Sequence, residues 1–178
     1  MDPQLLVWIV ARATGLASYI ALCIAVLSGI ALRTSVLDFL ATNRALRNLH
    51  DFTTWLWIPL GGAHVAALLL DKTAQITPLD VVVPFQVSYA PLAIGLGTVS
   101  LDIIVVVTVT SWLKRRMNDR VWRWIHRLSY VAFVTLFIHG LRSGTDFDAP
   151  LISAVSWSVA LGIALLALSR VLFGRLPA

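Results

Sequence analysis

The sequence predicts an all-α integral membrane protein, a five-helix transmembrane bundle forming one domain over residues 1–178. Three observations predict it. Of the 178 residues, 58% are hydrophobic and only 13% charged, and the mean hydropathy is +0.84, too apolar for a soluble domain of this size. Five apolar segments each approach the roughly 20 residues that a bilayer core requires. The basic residues fall in alternate connections, as consecutive real spans demand.

The first segment, about residues 5–32, contains Arg12 and the single cysteine, Cys23. It lacks the basic start of a signal peptide and is too long to be one. One cysteine forms no internal disulfide, and without a Cys-x-x-Cys pair neither a thiolate cluster nor covalent haem attachment is expected. Arg33, Arg44 and Arg47 lie in or beside the link to the second segment, about 46–70. There Pro59 with Gly61 and Gly62 predicts a kink and room for a flat group beside the backbone. Pro78, Pro84 and Pro91 punctuate the next link, whose Lys72 is set against Asp71 and Asp80. The third segment, about 89–113, carries Asp102 near its middle. Lys114, Arg115, Arg116, Arg120 and Arg123 mark the passage into the fourth, about 121–141. Gly144 and Pro150 then break the chain before the fifth, about 151–173, in a link where Arg142 faces Asp146 and Asp148. There is no internal repeat or low-complexity stretch.

Links one and three are therefore expected in the cytoplasm, with the N-terminus outside, the C-terminus inside and the chain in the inner (plasma) membrane. The net charge of +5 is explained by this asymmetry, without a nucleic-acid partner; the lipid bilayer is the expected surrounding. Topology alone accounts for the cationic clusters better than a docking surface does.

All four histidines lie in the second and fourth segments: His50 and His64, 14 positions apart, and His126 and His139, 13 apart. These segments run in the same direction. At about 1.5 Å rise per residue the separations are about 21 and about 19.5 Å. Each helix thus offers one imidazole near the inner surface and one near the outer. Pairing by depth joins His50 to His126 and His64 to His139, each pair able to clamp one flat macrocycle, and neutral imidazole suits its iron. Four unrelated polar residues would not be matched in depth, and polar residues in a membrane are costly. Zinc is the weaker rival, because ligands four turns apart cannot reach one ion. Fourteen positions return to nearly the same helix face, whereas thirteen land about 140° away. Either the fourth helix is distorted, by a π-bulge or a bend, or the two macrocycle planes are rotated relative to each other.

These helices resemble the ferric reductase-like transmembrane domain superfamily, which includes ferric reductases, NADPH oxidases and the haem subunit of the bacterial periplasmic methionine sulfoxide reductase system. The segment RALRNLHDFTTWLWIPLGGAH, residues 44–64, resembles its first histidine helix, and WRWIHRLSYVAFVTLFIHGL, residues 122–141, its second. The 14 and 13 spacings are the superfamily's own. VPFQVSYAPLAIGLGTVSLD and HGLRSGTD are similar to small stand-alone bacterial members, and ARATG around Arg12 resembles the first core helix. The resemblance implies two b-type haems with bis-histidine ligation and electron flow from the inner haem to the outer.

In the oxidases an arginine matching Arg12 lines the oxygen-reducing pocket. A second pocket histidine would fall at Leu68 here, which argues against superoxide production. We expect no counterpart here of the span that usually precedes the oxidase core. No flavin and nicotinamide domain follows, so we expect no flavin site in this chain and a donor that is a separate flavoprotein or a quinol.

Arg12 is the candidate outer site, neutralising haem propionates or attracting an anionic acceptor, against the simpler reading of a side chain reaching back to the interface. Arg44, Arg47, Arg123 and Arg127 flank the inner ligands as candidate propionate partners or plain interface anchors. Asp102 reads as structural rather than as a proton carrier. Trp57 and Phe133 read as core packing at a depth between the haems. Trp8, Trp112, Trp122 and Trp124 read as an aromatic belt.

The expected function is an oxidoreductase subunit of ferric reductase type, passing electrons outward. A negative-inside potential favours that direction by about 2.3 kcal/mol per 100 mV. The alternative is a haem-bearing membrane anchor for a larger redox complex, without a substrate site of its own. Reduction of a soluble acceptor by the purified chain in liposomes separates the two.

Overall fold

A computed structural model of the chain describes residues 2–33 and 41–173. Both chain ends, expected on opposite sides of the membrane, lie outside them. The described residues form five α-helices, α1 (Pro3–Ala31), α2 (Asn43–Leu70), α3 (Pro91–Trp112), α4 (Asp119–Ser143) and α5 (Pro150–Phe173), with short 3-10 turns at Lys114–Arg116 and Thr145–Asp148 and an irregular link over 71–90. The helix ends lie within about three residues of the apolar segments. α2 begins at Asn43, before its apolar stretch, because Arg44 and Ala45 are good helix formers. Pro91 sits in the first turn of α3, where its missing N–H costs nothing. The Asn118 side chain caps α4 by accepting from the Arg120 N–H at 2.8 Å, and Gly144 follows its last turn. α2 continues through Pro59.

The chain divides into two compact units, residues 1–9 with 65–145, and residues 10–64 with 146–178. In the first, α3 and α4 pack antiparallel along their length. The fully buried Ser100 hydroxyl donates to the Ala132 carbonyl across this contact at 2.8 Å, in keeping with the use of small polar residues where membrane helices approach closely. The α2–α3 link is tied down by the Thr98 hydroxyl, which donates to the Asp80 carbonyl at 2.9 Å. The Asp80 carboxylate accepts from both the N–H and the hydroxyl of Thr77, at 2.8 and 2.7 Å. Those bonds hold its carboxyl below the usual range. Phe85, at positive φ, lies against Gly95, where a Cβ would come within 2.1 Å of the ring.

In the second unit α1 and α2 run antiparallel. α5 runs the same way as α1: Tyr19 meets Phe147 edge to face at 5.5 Å, and farther along, Leu27, Ala154, Val155, Ser158, Val159 and Gly162 line a shallow apolar groove. The buried side of α1 is built mainly from small residues, Ala11, Ala21, Cys23, Ala25 and Ser28.

Large apolar side chains point outward on every helix, most fully on α5, where Leu151 is 75% and Val171 81% exposed. Leaving each such side chain in water forfeits about 1.5–3 kcal/mol, so this surface belongs in lipid. By length and composition Pro3–Ala31, Asn43–Leu70, Pro91–Trp112 and Pro150–Ser169 can each cross a membrane. α4 does not meet that composition, because it carries Arg120, Arg123, Arg127, Arg142 and two histidines within 25 residues. It is nevertheless about 37 Å long, more than a hydrocarbon core of about 30 Å.

Candidate functional site

The four histidines are each positioned by the helix preceding their own. Along α1, Ala11 and Ala25 are 14 residues apart, the spacing of His64 and His50 on antiparallel α2. The His64 Nδ1–H donates to the Ala11 carbonyl at 2.7 Å, and the His50 Nδ1–H to the Ala25 carbonyl at 2.8 Å. One turn farther along α1 stands a glycine in each case. A Cβ on Gly15 would lie 2.7 Å from the His64 ring, and one on Gly29 3.2 Å from that of His50. The Nδ1–Cε1 edges of the imidazoles thus lie close against α1 where it has no side chain.

α3 treats α4 similarly. The His139 Nδ1–H donates to the Ala93 carbonyl at 2.8 Å, and a Cβ on Gly97 would sit 2.8 Å from its ring. His126 Nδ1 faces the Ser111 hydroxyl at 3.4 Å. Trp122 stacks on the His126 ring at 4.9 Å, and the Lys114 ammonium lies over the Trp122 ring at 4.2 Å. The two histidines leave α4 at azimuths about 140° apart, yet both turn Nδ1 toward α3. α4 is α-helical throughout its length, with no π turn to absorb the offset.

The chemical consequence is one tautomer. A carbonyl only accepts, so Nδ1 carries the proton in His50, His64 and His139 and Nε2 carries the lone pair. Nδ1–H bonded to a carbonyl, with Nε2 as the donor atom, is the usual state of a metal-ligating imidazole. The carbonyls of Ala11, Ala25 and Ala93 and the three glycines are positioning groups that reading the histidines alone missed. A signal was present: Gly15 and Gly29 repeat the 14-residue spacing of His50 and His64.

Arg12, next to the carbonyl that holds His64, is gripped by Asp146 from the turn before α5. Its Nε donates to Oδ2 at 2.9 Å and its Nη2 to Oδ1. A carboxylate 134 residues away in the sequence thus pairs with Arg12. The guanidinium holds the Asp146 carboxyl below its usual range. Arg44, Arg47 and Arg123 are exposed, and Arg127 lies over the Trp124 ring at 4.7 Å. Trp57 and Phe133 are buried, and Asp102 is half-buried in α3.

A multi-pass helical membrane protein whose histidines are hydrogen-bonded to the helix preceding their own is the class that fold and site define. The family described as Ferric reductase like transmembrane component matches residues 14–137, and the chain belongs to it. The match takes in His50, His64 and His126 and ends two residues before His139. It assigns the chain to transmembrane electron transfer and, in general terms, to the oxidoreductases. No curated protein and no solved structure matches.

Proposed function

We propose that this chain is a di-haem b-type cytochrome that carries electrons from a cytoplasmic or membrane donor, a flavoprotein or a quinol, to an acceptor on the outer side. α4 also crosses the membrane, giving five spans, with the N-terminus outside and the C-terminus in the cytoplasm. His50 and His126 hold the inner haem, and His64 and His139 the outer. The observation that supports this reading is the shared posture of His50, His64 and His139, each with Nδ1 committed to a backbone carbonyl, which puts the ring's lone pair on Nε2.

Haem held by His50, His64, His126 and His139 would supply one-electron carrier chemistry. The protein's part is placement. The Ala11, Ala25 and Ala93 carbonyls fix ring orientation and raise the basicity of Nε2. Gly15, Gly29 and Gly97 let the rings approach their supporting helices. The apolar exterior seats the bundle in lipid. Arg44, Arg47, Arg123 and Arg127 are available to the inner propionates. At the outer end, an anion reaching Arg12 must compete with Asp146.

The purified chain should contain two b haems by pyridine haemochrome assay. His64→Ala and His139→Ala should leave one common residual spectrum, and His50→Ala and His126→Ala another. If His64→Ala instead matches His50→Ala, ligation runs along a helix and the pairing by depth is wrong.

A further inference from the structure

The support of His126 differs in kind from the backbone carbonyls described above, since a side chain supplies it. The Ser111 hydroxyl donates its proton to the Val107 carbonyl at 2.7 Å. With its proton so committed the oxygen is an acceptor, so His126 Nδ1, 3.4 Å away, meets it as an N–H, as the Trp122 Nε1–H does, also at 3.4 Å, and each bond that the one oxygen accepts weakens the other. Trp122 is at the same time stacked on the His126 ring, with planes 26° apart, and the Lys114 ammonium above the indole draws electron density from it and makes its N–H a better donor. One oxygen atom is thus shared between the imidazole and the indole lying on it.

We propose that Ser111 and Trp122 act as opposed positioning residues for His126, and that their competition for one hydroxyl oxygen sets the reduction potential of the haem His126 binds. This rests on the reading of His126 as an axial ligand. A hydrogen bond accepted from Nδ1–H makes Nε2 a stronger donor and favours the oxidised, more positively charged iron, which lowers the potential. Removing the acceptor raises the potential. Removing the competing indole N–H leaves the oxygen more available to His126 and lowers it. Two neighbouring substitutions therefore act with opposite sign, which loss of packing does not produce.

The test is an anaerobic redox titration of the purified, haem-loaded full chain, followed in the visible bands, for wild type, Ser111→Ala, Ser111→Thr and Trp122→Phe. Ser111→Ala should raise one of the two midpoints, and Trp122→Phe, which keeps an aromatic ring on His126, should lower the same one. Ser111→Thr, which keeps the hydroxyl, should stay near wild type, and the second midpoint should not move. Shifts of equal sign, no shift, or movement of both midpoints overturns the proposal. His126→Ala separates the layers. If it spares both haems, the ligand assignment fails and this inference with it. If it removes one haem while the midpoints fail to move in opposite directions, only the present inference fails.

Discussion

Placing a methyl group on the glycines beneath the histidines should remove haem selectively. A Cβ on Gly97 would sit 2.8 Å from the Cε1 and Nδ1 atoms of His139, where ordinary contact begins near 3.4 Å. The ring must therefore retreat by at least 3.4 − 2.8 = 0.6 Å, with the Nδ1–Ala93 bond of 2.8 Å stretched by a comparable amount. Losing that bond costs about 1 kcal/mol, and the overpacking about 1–3 kcal/mol more. Together they amount to about 2–4 kcal/mol, or about 30-fold to 1000-fold in haem affinity. Gly15→Ala is equally severe, with its Cβ 2.7 Å from His64. Gly29→Ala is milder, at 3.2 Å from His50. Helix propensity works the other way, because alanine is the better helix former by about 1 kcal/mol, so the haem-free helices gain while haem binding falls. The assay is haem content per chain with the difference spectrum. Gly97→Ala and Gly15→Ala should lose the same haem, the one lost in His139→Ala and His64→Ala, and Gly29→Ala should keep both. Different residual spectra for Gly97→Ala and Gly15→Ala, or a Gly29→Ala as damaging as either, would refute the reasoning.

Three further outcomes are expected. The Asp146 carboxyl titrates below its usual range because Arg12 holds its charged form; its contribution to stability is complete above the ordinary carboxylate value and is lost as pH falls through the lowered one. Thermal unfolding in detergent should show that acid-side loss in wild type and not in Asp146→Asn. Single cysteines introduced near the two chain ends, in a Cys23→Ala background, should label from opposite sides of sealed vesicles; labelling of both from one side means an even number of spans. Ser100→Ala removes the buried hydrogen bond to Ala132 and should lower stability by about 1 kcal/mol without altering the haem spectrum.

The helices and the ligand candidates were legible in the sequence because both depend on local pattern. Apolar length marks α1, α2, α3 and α5. The fourth segment, about 121–141, reads as apolar too, though α4 falls short of the length-and-composition measure that the other four meet. The supports of the site were less legible. That the Ala11, Ala25 and Ala93 carbonyls serve as acceptors depends on helix register, since any residue supplies a carbonyl; only the echo of the histidine spacing in Gly15 and Gly29 hinted at it. The Arg12–Asp146 pair joins positions 134 residues apart, and no periodicity connects them. The 13-residue spacing of His126 and His139 raised the prospect of a distorted helix. α4 is instead regular, and side-chain direction brings both Nδ1 atoms toward α3, which is rotamer information that spacing does not contain.

The most direct test of electron transfer across the bilayer uses proteoliposomes loaded with ferricyanide and given dithionite outside, with ferricyanide absorbance followed in time. The account requires the internal ferricyanide to be reduced at a rate that rises with the amount of protein and falls to the protein-free rate in His64→Ala and in His50→Ala. Reduction no faster than in empty liposomes, or a rate unchanged when either histidine is replaced, would contradict it.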